Sequence, residues 1–147
     1  MDTTDVPGIV KTPGVCSGRA RIDGTRLAVD FLVRSRRLGN TDADLLSDRC
    51  YPYLTREQLS ACWEYFRRHP NEIEREIWLA RAAEYGPGDT PPPAVILAGL
   101  KLGIAEDEVR QAFDTPLTDD QLGDAWVVYR ANPRDIDQSI AALAIVG

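Results

Sequence analysis

Three arginines alternate with small or apolar residues in Gly18-Arg19-Ala20-Arg21-Ile22-Asp23-Gly24-Thr25-Arg26. Asp-Gly between alternating runs is a strong short-range signal for a two-residue hairpin turn. Such a turn sets Ile22 opposite Thr25, Arg21 opposite Arg26 and Ala20 opposite Leu27. Side chains alternate along a strand, so Arg19, Arg21 and Arg26 then share one face. Like charges facing each other are unfavourable, so either an anionic partner lies between them or a local carboxylate, Asp23 or Asp30, offsets them. The chemistry on offer is the binding of phosphate or carboxylate.

Other reactive groups are sparse. Cys16, Cys50 and Cys62 are odd in number and lack metal-ligand spacing, and His69 is the one histidine. Neither a disulfide framework nor a Cys/His zinc site is expected, and the thiols are read as reduced. Cys16 becomes a nucleophile only if a helix end or a nearby arginine holds its thiolate; as a small packed residue it needs neither. No glycine loop fits a phosphate cradle, and the carboxylates fall mostly on expected solvent faces. The expectation is a protein that is not an enzyme and takes no metal and no cofactor.

The elements that must position these residues emerge from an internal repeat. Laying residues 31–81 over 95–144, with Tyr53 unmatched, pairs Leu38-Gly39 with Leu102-Gly103, Pro52 with Pro116, and Leu54-Thr55 with Leu117-Thr118. It also pairs Gln58-Leu59 with Gln121-Leu122, Trp63 with Trp126, Arg67 with Arg130, Pro70 with Pro133, Ile73 with Ile136 and Ile77 with Ile140. Twelve identities stand against about three expected from ordinary composition.

Each copy reads as short helices with defined ends. Gly39 and Gly103 stop a first helix. Thr41 opens a second. Thr55 to Gln58 and Thr118 to Gln121 are capping boxes, and Leu59, Cys62, Trp63 and Phe66, like Leu122, Ala125, Trp126 and Tyr129, follow with the period of one buried helix face. Both tryptophans are therefore expected in the core. Pro70 and Pro133 suit the first turn of a fourth helix. The spacing predicts helices near 28–38, 42–48, 55–68 and 70–84, recurring near 95–102, 106–113, 118–131 and 133–144. The fold class is mainly α: tandem helix-turn-helix-like units of three or four helices behind an N-terminal β-hairpin. The expected division is 8–85 for the hairpin and first unit, a stiff Pro/Gly linker over 86–93, and 94–147 for a degenerate second unit.

Charge divides the same way. The chain carries a net charge of -6, but residues 1–70 hold 11 Lys+Arg against 9 Asp+Glu and residues 71–147 hold 6 against 14, so the halves stand at +2 and -8. An acidic chain is a poor partner for a polyanion except at its basic end. No apolar run approaches a membrane span, and Asp2 and Asp5 stand where a signal peptide carries Lys or Arg, so a cytoplasmic protein is expected.

The run from Pro13 to Arg26, the helix ending Arg37-Leu38-Gly39 and the stretch Tyr51-Pro52-Tyr53-Leu54-Thr55 resemble the domain-of-unknown-function family numbered 433, over roughly residues 8–81. Ala28 stands where that family usually has a proline. The resemblance implies an antitoxin-like protein with a helix-turn-helix fold, whose gene often neighbours a PIN-like nuclease, the presumed toxin.

Two functions are expected from this reading. In the first, the chain is a DNA-binding antitoxin or transcriptional regulator. Arg56 and Ser60 on the third helix reach base edges, while Arg34, Arg37 and the hairpin residues Arg19, Arg21 and Arg26 hold phosphates; Glu57 and Glu64 oppose this. In the second, it is a protein-interaction module without DNA binding. In the second copy Arg34, Arg36, Arg56 and Arg68 are replaced by Ala98, Leu100, Asp119 and Ala131. Its first helix is apolar nearly all round, so Ile96, Leu97, Leu100 and Leu102 are expected to form an association surface against the first copy, a second chain in a homodimer, or the toxin.

Overall fold

The computed structural model describes residues 2–47 and 50–146. The chain divides into two units, Met1–Glu76 and Ile77–Gly147.

The first unit opens with a three-stranded antiparallel sheet in the order β1 (Asp2–Thr3), β2 (Ile9–Lys11), β3 (Arg21–Ile22). Thr3 lies opposite Val10, and Ile9 opposite Ile22. Helices α1 (Val29–Arg37), α2 (Asp42–Leu45), α3 (Arg56–Arg68) and the first half of α4 (Pro70–Ala82) follow. Ile9, Val10 and Ile22 are buried in a sheet that packs on α3. Of the expected helix 42–48, residue 48 lies outside the described residues, and α2 ends at Leu45.

The arginine hairpin takes a different register from the one expected. The turn at Asp23-Gly24 forms, but the Ile22 N–H donates to the Leu27 carbonyl at 3.0 Å and Arg21 bridges Ala28. Arg21 therefore faces Ala28, not Arg26. Thr25 causes the shift by winding a turn of its own: its hydroxyl donates to the Ile22 carbonyl at 2.8 Å and accepts from the Leu27 N–H at 3.1 Å. The main partner of β3 is β2, whose apolar run is too short to register as a strand in the sequence.

The second unit holds the rest of α4 with α5 (Pro93–Lys101), α6 (Glu106–Gln111), α7 (Asp119–Ala131) and α8 (Pro133–Val146). Here α5 is the central helix. Ala94 to Gly99 are buried along it, and it packs on α6, α7 and α8. Trp78 and Ala82 of α4 join the same core as Val95, Val109, Phe113 and Leu122, so the division of the chain lies within α4 and not at 86–93. That stretch is tied into the second unit, with the Gly88 N–H donating to Thr115 Oγ1 at 3.1 Å. Trp78 Nε1 donates to the Val95 carbonyl at 2.8 Å.

The expected association surface is corrected by this packing. Ile96 and Leu97 are buried in the second unit's own core, and Leu100 and Leu102 pack half-buried against it. A helix apolar all round requires cover on every side, and α8 together with Trp78 supplies what three helices alone lacked.

Element lengths recur between the units. Helices α1 and α5 have 9 residues each and α3 and α7 have 13 each. Thr55 with Gln58 and Thr118 with Gln121 both form complete capping boxes. Gly39 and Gly103 both take the left-handed conformation after the first helix, at φ 105° and 84°, which only glycine adopts without strain.

Candidate functional site

The capped start of α3 fixes which of its residues face out. Leu59, Cys62 and Tyr65 are buried, leaving Arg56, Glu57 and Ser60 exposed one turn apart. Beside them α2 and α3 enclose a groove of about 400 Å³ lined by Asp42, Ala43, Leu46, Arg56, Leu59, Ser60 and Trp63. Trp63 is thus half-buried at a surface, not in the core. The core position falls to Tyr65, which continues the buried stripe of Leu59 and Cys62. Arg36 lies over the Trp63 ring, 5.3 Å from its centroid, and pairs with Asp42, which accepts from Trp63 Nε1 at 3.2 Å. A cation, an indole and a carboxylate from three helices thereby close one end of the groove.

A second such trio uses the next arginine. The Arg37 guanidinium lies 5.7 Å from the Phe66 ring centroid and forms a two-pronged pair with Glu74, whose longer arm is 3.2 Å. The repeat carries these positions to Lys101, Tyr129 and Asp137. There Lys101 lies 5.3 Å from the Tyr129 centroid and 2.5 Å from Asp137 Oδ1. The trio through Trp63 has no such counterpart, because Leu100 replaces Arg36, and Trp126 is exposed.

The remaining predicted cations do not converge on one surface. Arg19 donates to the Cys16 carbonyl at 3.0 Å and to Oδ2 of the fully buried Asp30 at 2.7 Å. Arg21 is itself buried and donates to Thr12 Oγ1 at 2.7 Å and to the Thr25 carbonyl at 3.1 Å. Both arginines brace the fold. Arg34 is half-buried, and Arg26 is exposed. Cys16, the one cysteine with a conceivable reactive role, donates its thiol to the Arg26 carbonyl at 3.2 Å. Burial pushes the Cys62 thiol up to about 12.

Sequence reasoning missed a partly buried polar network beside α3. Tyr65 donates to Glu72 Oε2 at 2.6 Å, and Lys11 pairs with Glu72 Oε1 at 2.7 Å. Close by, burial above all, then repulsion from Asp30 and Glu72, lifts the Glu76 carboxyl to about 7. Asp30 inside the apolar run Ala28-Val29-Asp30-Phe31-Leu32-Val33 was the available signal, since a charge on a buried face needs a partner. At the far end of α3, Glu64 is held at about 2 by Arg67 and then Arg68, and His69 Nε2 lies 2.7 Å from Asp5 Oδ1. Among the described residues no group of three or more His, Cys, Asp or Glu side chains could hold a metal ion, and no helix is long and apolar enough to cross a membrane.

No curated protein matches the chain. A solved structure that resembles it is the crystal structure, at 2.00 Å, of a DUF433 member protein from Anabaena variabilis ATCC 29413. The two are 50% identical over 48% of this chain and 67% of that one, with a TM-score of 0.45. Residues 9–66, from β2 to Phe66 of α3, match the family model described as "Protein of unknown function (DUF433)", and the chain belongs to that family.

Proposed function

We propose that the protein is a DNA-binding regulator of the antitoxin type, whose first unit contacts an operator through α3 and whose second unit engages a protein partner, a PIN-like nuclease in the antitoxin reading. The observation that carries this reading is the paired exposure of Arg56 and Ser60 on a fully capped helix at the mouth of a groove. A recognition helix reads bases with residues near its N-terminus. Arg26 is the exposed cation of the Asp23 to Arg26 turn, and with Arg34 it remains a candidate for phosphate contact. Arg19, Arg21 and Arg37 are committed to Asp30, Thr12 and Glu74 and drop out of the contact set.

The test is fluorescence anisotropy with a duplex taken from upstream of the protein's own reading frame. With two phosphate contacts, from Arg26 and Arg34, affinity should fall roughly 12-fold between about 50 and 200 mM salt. Arg56→Ala should cost about 1–3 kcal/mol on that duplex and much less on scrambled DNA. No binding at low salt overturns the DNA half of the proposal.

The commitment of Arg19, Arg21, Arg36 and Arg37 to internal partners favours a second reading, an interaction module without DNA contact. In that case partner binding is nearly insensitive to salt.

A further inference from the structure

We propose that the groove between α2 and α3 binds a small organic acid, a single carboxylate on a compact apolar body, and that this ligand competes with the operator. The carboxylate sits on Arg56 and Ser60, and the body lies against Leu46, Leu59 and Trp63. The inference deepens the proposed function at the same site, and of its two parts only the competition rests on DNA binding.

The two units treat one groove in opposite ways. The repeat frame carries Asp42, Leu46, Arg56 and Ser60 to Glu106, Arg110, Asp119 and Gly123. In the second unit Arg110 of α6 pairs with Glu106 at 2.7 Å and reaches across to Asp119, the first residue of α7. The charge at the head of that helix is answered from within the chain. In the first unit Arg56 heads α3 with the opposite charge, and the residue in Arg110's place is the half-buried Leu46. Among the described residues Arg56 makes no hydrogen bond or ion pair. A guanidinium at the first position of a helix is also opposed by the helix dipole, so Arg56 does not stabilise α3.

The lining selects the ligand. Asp42, the other charged residue of the groove, is already engaged by Arg36 and by the Trp63 indole N–H. Arg56 is therefore the one unanswered charge of the lining, and a guanidinium fork matches the two oxygens of one carboxylate. Ala43, Leu46, Leu59 and Trp63 supply apolar wall, which an apolar body covers and a bare inorganic anion does not. The groove's volume of about 400 Å³ falls among the clefts of about 300–1,000 Å³ that hold small ligands. Because Arg56 and Ser60 are also the proposed base contacts, acid and operator exclude each other, and the regulator releases DNA when the acid is bound.

The experiment follows the indole N–H resonances of the full chain by NMR during titration with 2-naphthoate, with Trp63→Phe used for assignment. Saturable movement of the Trp63 resonance, with the exposed Trp126 still, supports the proposal. The neutral 2-naphthamide and inorganic phosphate should each bind roughly ten-fold more weakly or worse, one lacking the charge and the other the apolar body. Arg56→Gln alters an exposed side chain with no contact to lose; it should weaken naphthoate binding roughly ten-fold and leave the amide unchanged. Leu46→Glu offers Arg56 a carboxylate from within the chain and should block the site. A Trp63 resonance unmoved by naphthoate, equal binding of acid and amide, or undiminished naphthoate binding by Arg56→Gln overturns the proposal. So does Trp126 moving in step with Trp63, which assigns the response to indoles in general. Competition is read separately by anisotropy, where saturating naphthoate should release the operator duplex. A ternary complex overturns the competition alone. If the duplex never binds, the DNA reading and the competition fail together, and the titration, run without DNA, still decides the groove.

Discussion

The two units place near-identical helices in different surroundings. In the first, α1 buries one side through Val29, Asp30, Leu32 and Val33, and a small sheet covers α3. In the second there is no sheet among the described residues, and α5 is enclosed by α6, α7, α8 and Trp78. Where a sheet carries part of the load, charges can enter the core: among the described residues the buried charged ones, Arg21 and Asp30, both belong to the first unit. Where helices alone form the core, its centre is apolar throughout. Replacing the sheet by a helix thus changes which chemistry the interior tolerates, with helix lengths and caps unchanged.

The largest test of this contrast exchanges one residue on the two central helices. Gly99 corresponds to Ser35 of α1, and a Cβ at Gly99 would meet the Trp78 ring at 2.5 Å. Gly99→Ser should destabilise the second unit by about 1–3 kcal/mol, although serine is the better helix former. The reverse change, Ser35→Gly, loses helix propensity and the hydrogen bond between the Ser35 and Tyr51 side chains, together about 1 kcal/mol. Chemical denaturation with amide exchange at Leu97 and Leu59 assigns each loss to its unit, and equal effects would erase the contrast.

A second test uses a half-buried carboxyl of the first unit. The Glu76 carboxyl, lifted from its ordinary value near 4.5 to about 7 by burial and by Asp30 and Glu72, binds its proton more tightly in the folded chain than in the unfolded one. Its contribution to stability is complete below pH 4.5 and is lost as pH rises through about 7. Glu76→Gln fixes the neutral form. It should remove that part of the pH dependence and, above pH 7, raise stability on the order of 1 kcal/mol, a figure reduced for partial exposure. Parallel melting curves for the two proteins across this range would contradict the assignment.

The smallest effect compares the two surviving trios. The Arg37 side chain is 18% exposed and that of Lys101 is 47%, so solvent screens the second more. Arg37→Ala should cost about 1 kcal/mol and Lys101→Ala less. Urea midpoints measured at low and high salt separate them, because the more exposed pair responds more to screening.

Signals confined to a few neighbouring residues were legible in the sequence. Capping boxes at Thr55 and Thr118, stops at Gly39 and Gly103 and the prolines opening α4 and α8 all lie where spacing alone puts them. What spacing does not encode is which side of an amphipathic helix meets which neighbour. Trp63 and Trp126 share the period of Leu59 and Leu122, yet they sit at the edge of the apolar stripe, and tertiary packing turned them outward. The pairing of Arg19 with Asp30 and of Arg37 with Glu74 brings together residues far apart along the chain or on separate elements. Counting arginines therefore overstated the charge left for a ligand.

The link from β2 to β3 has its own consequence for sequence variation. Cys16 and Ser17 stand at φ 50° and 55°, followed by Gly18 at 76°, three left-handed residues in succession where each non-glycine costs about 1–2 kcal/mol. Ser17 is exposed and Cys16 half-buried, so little is gained here by packing. In a saturation mutagenesis library this surface loop will be as intolerant as the core, but with the opposite preference. Glycine and asparagine will enrich at positions 16 and 17, and valine and isoleucine, favoured in neighbouring β2, will be depleted.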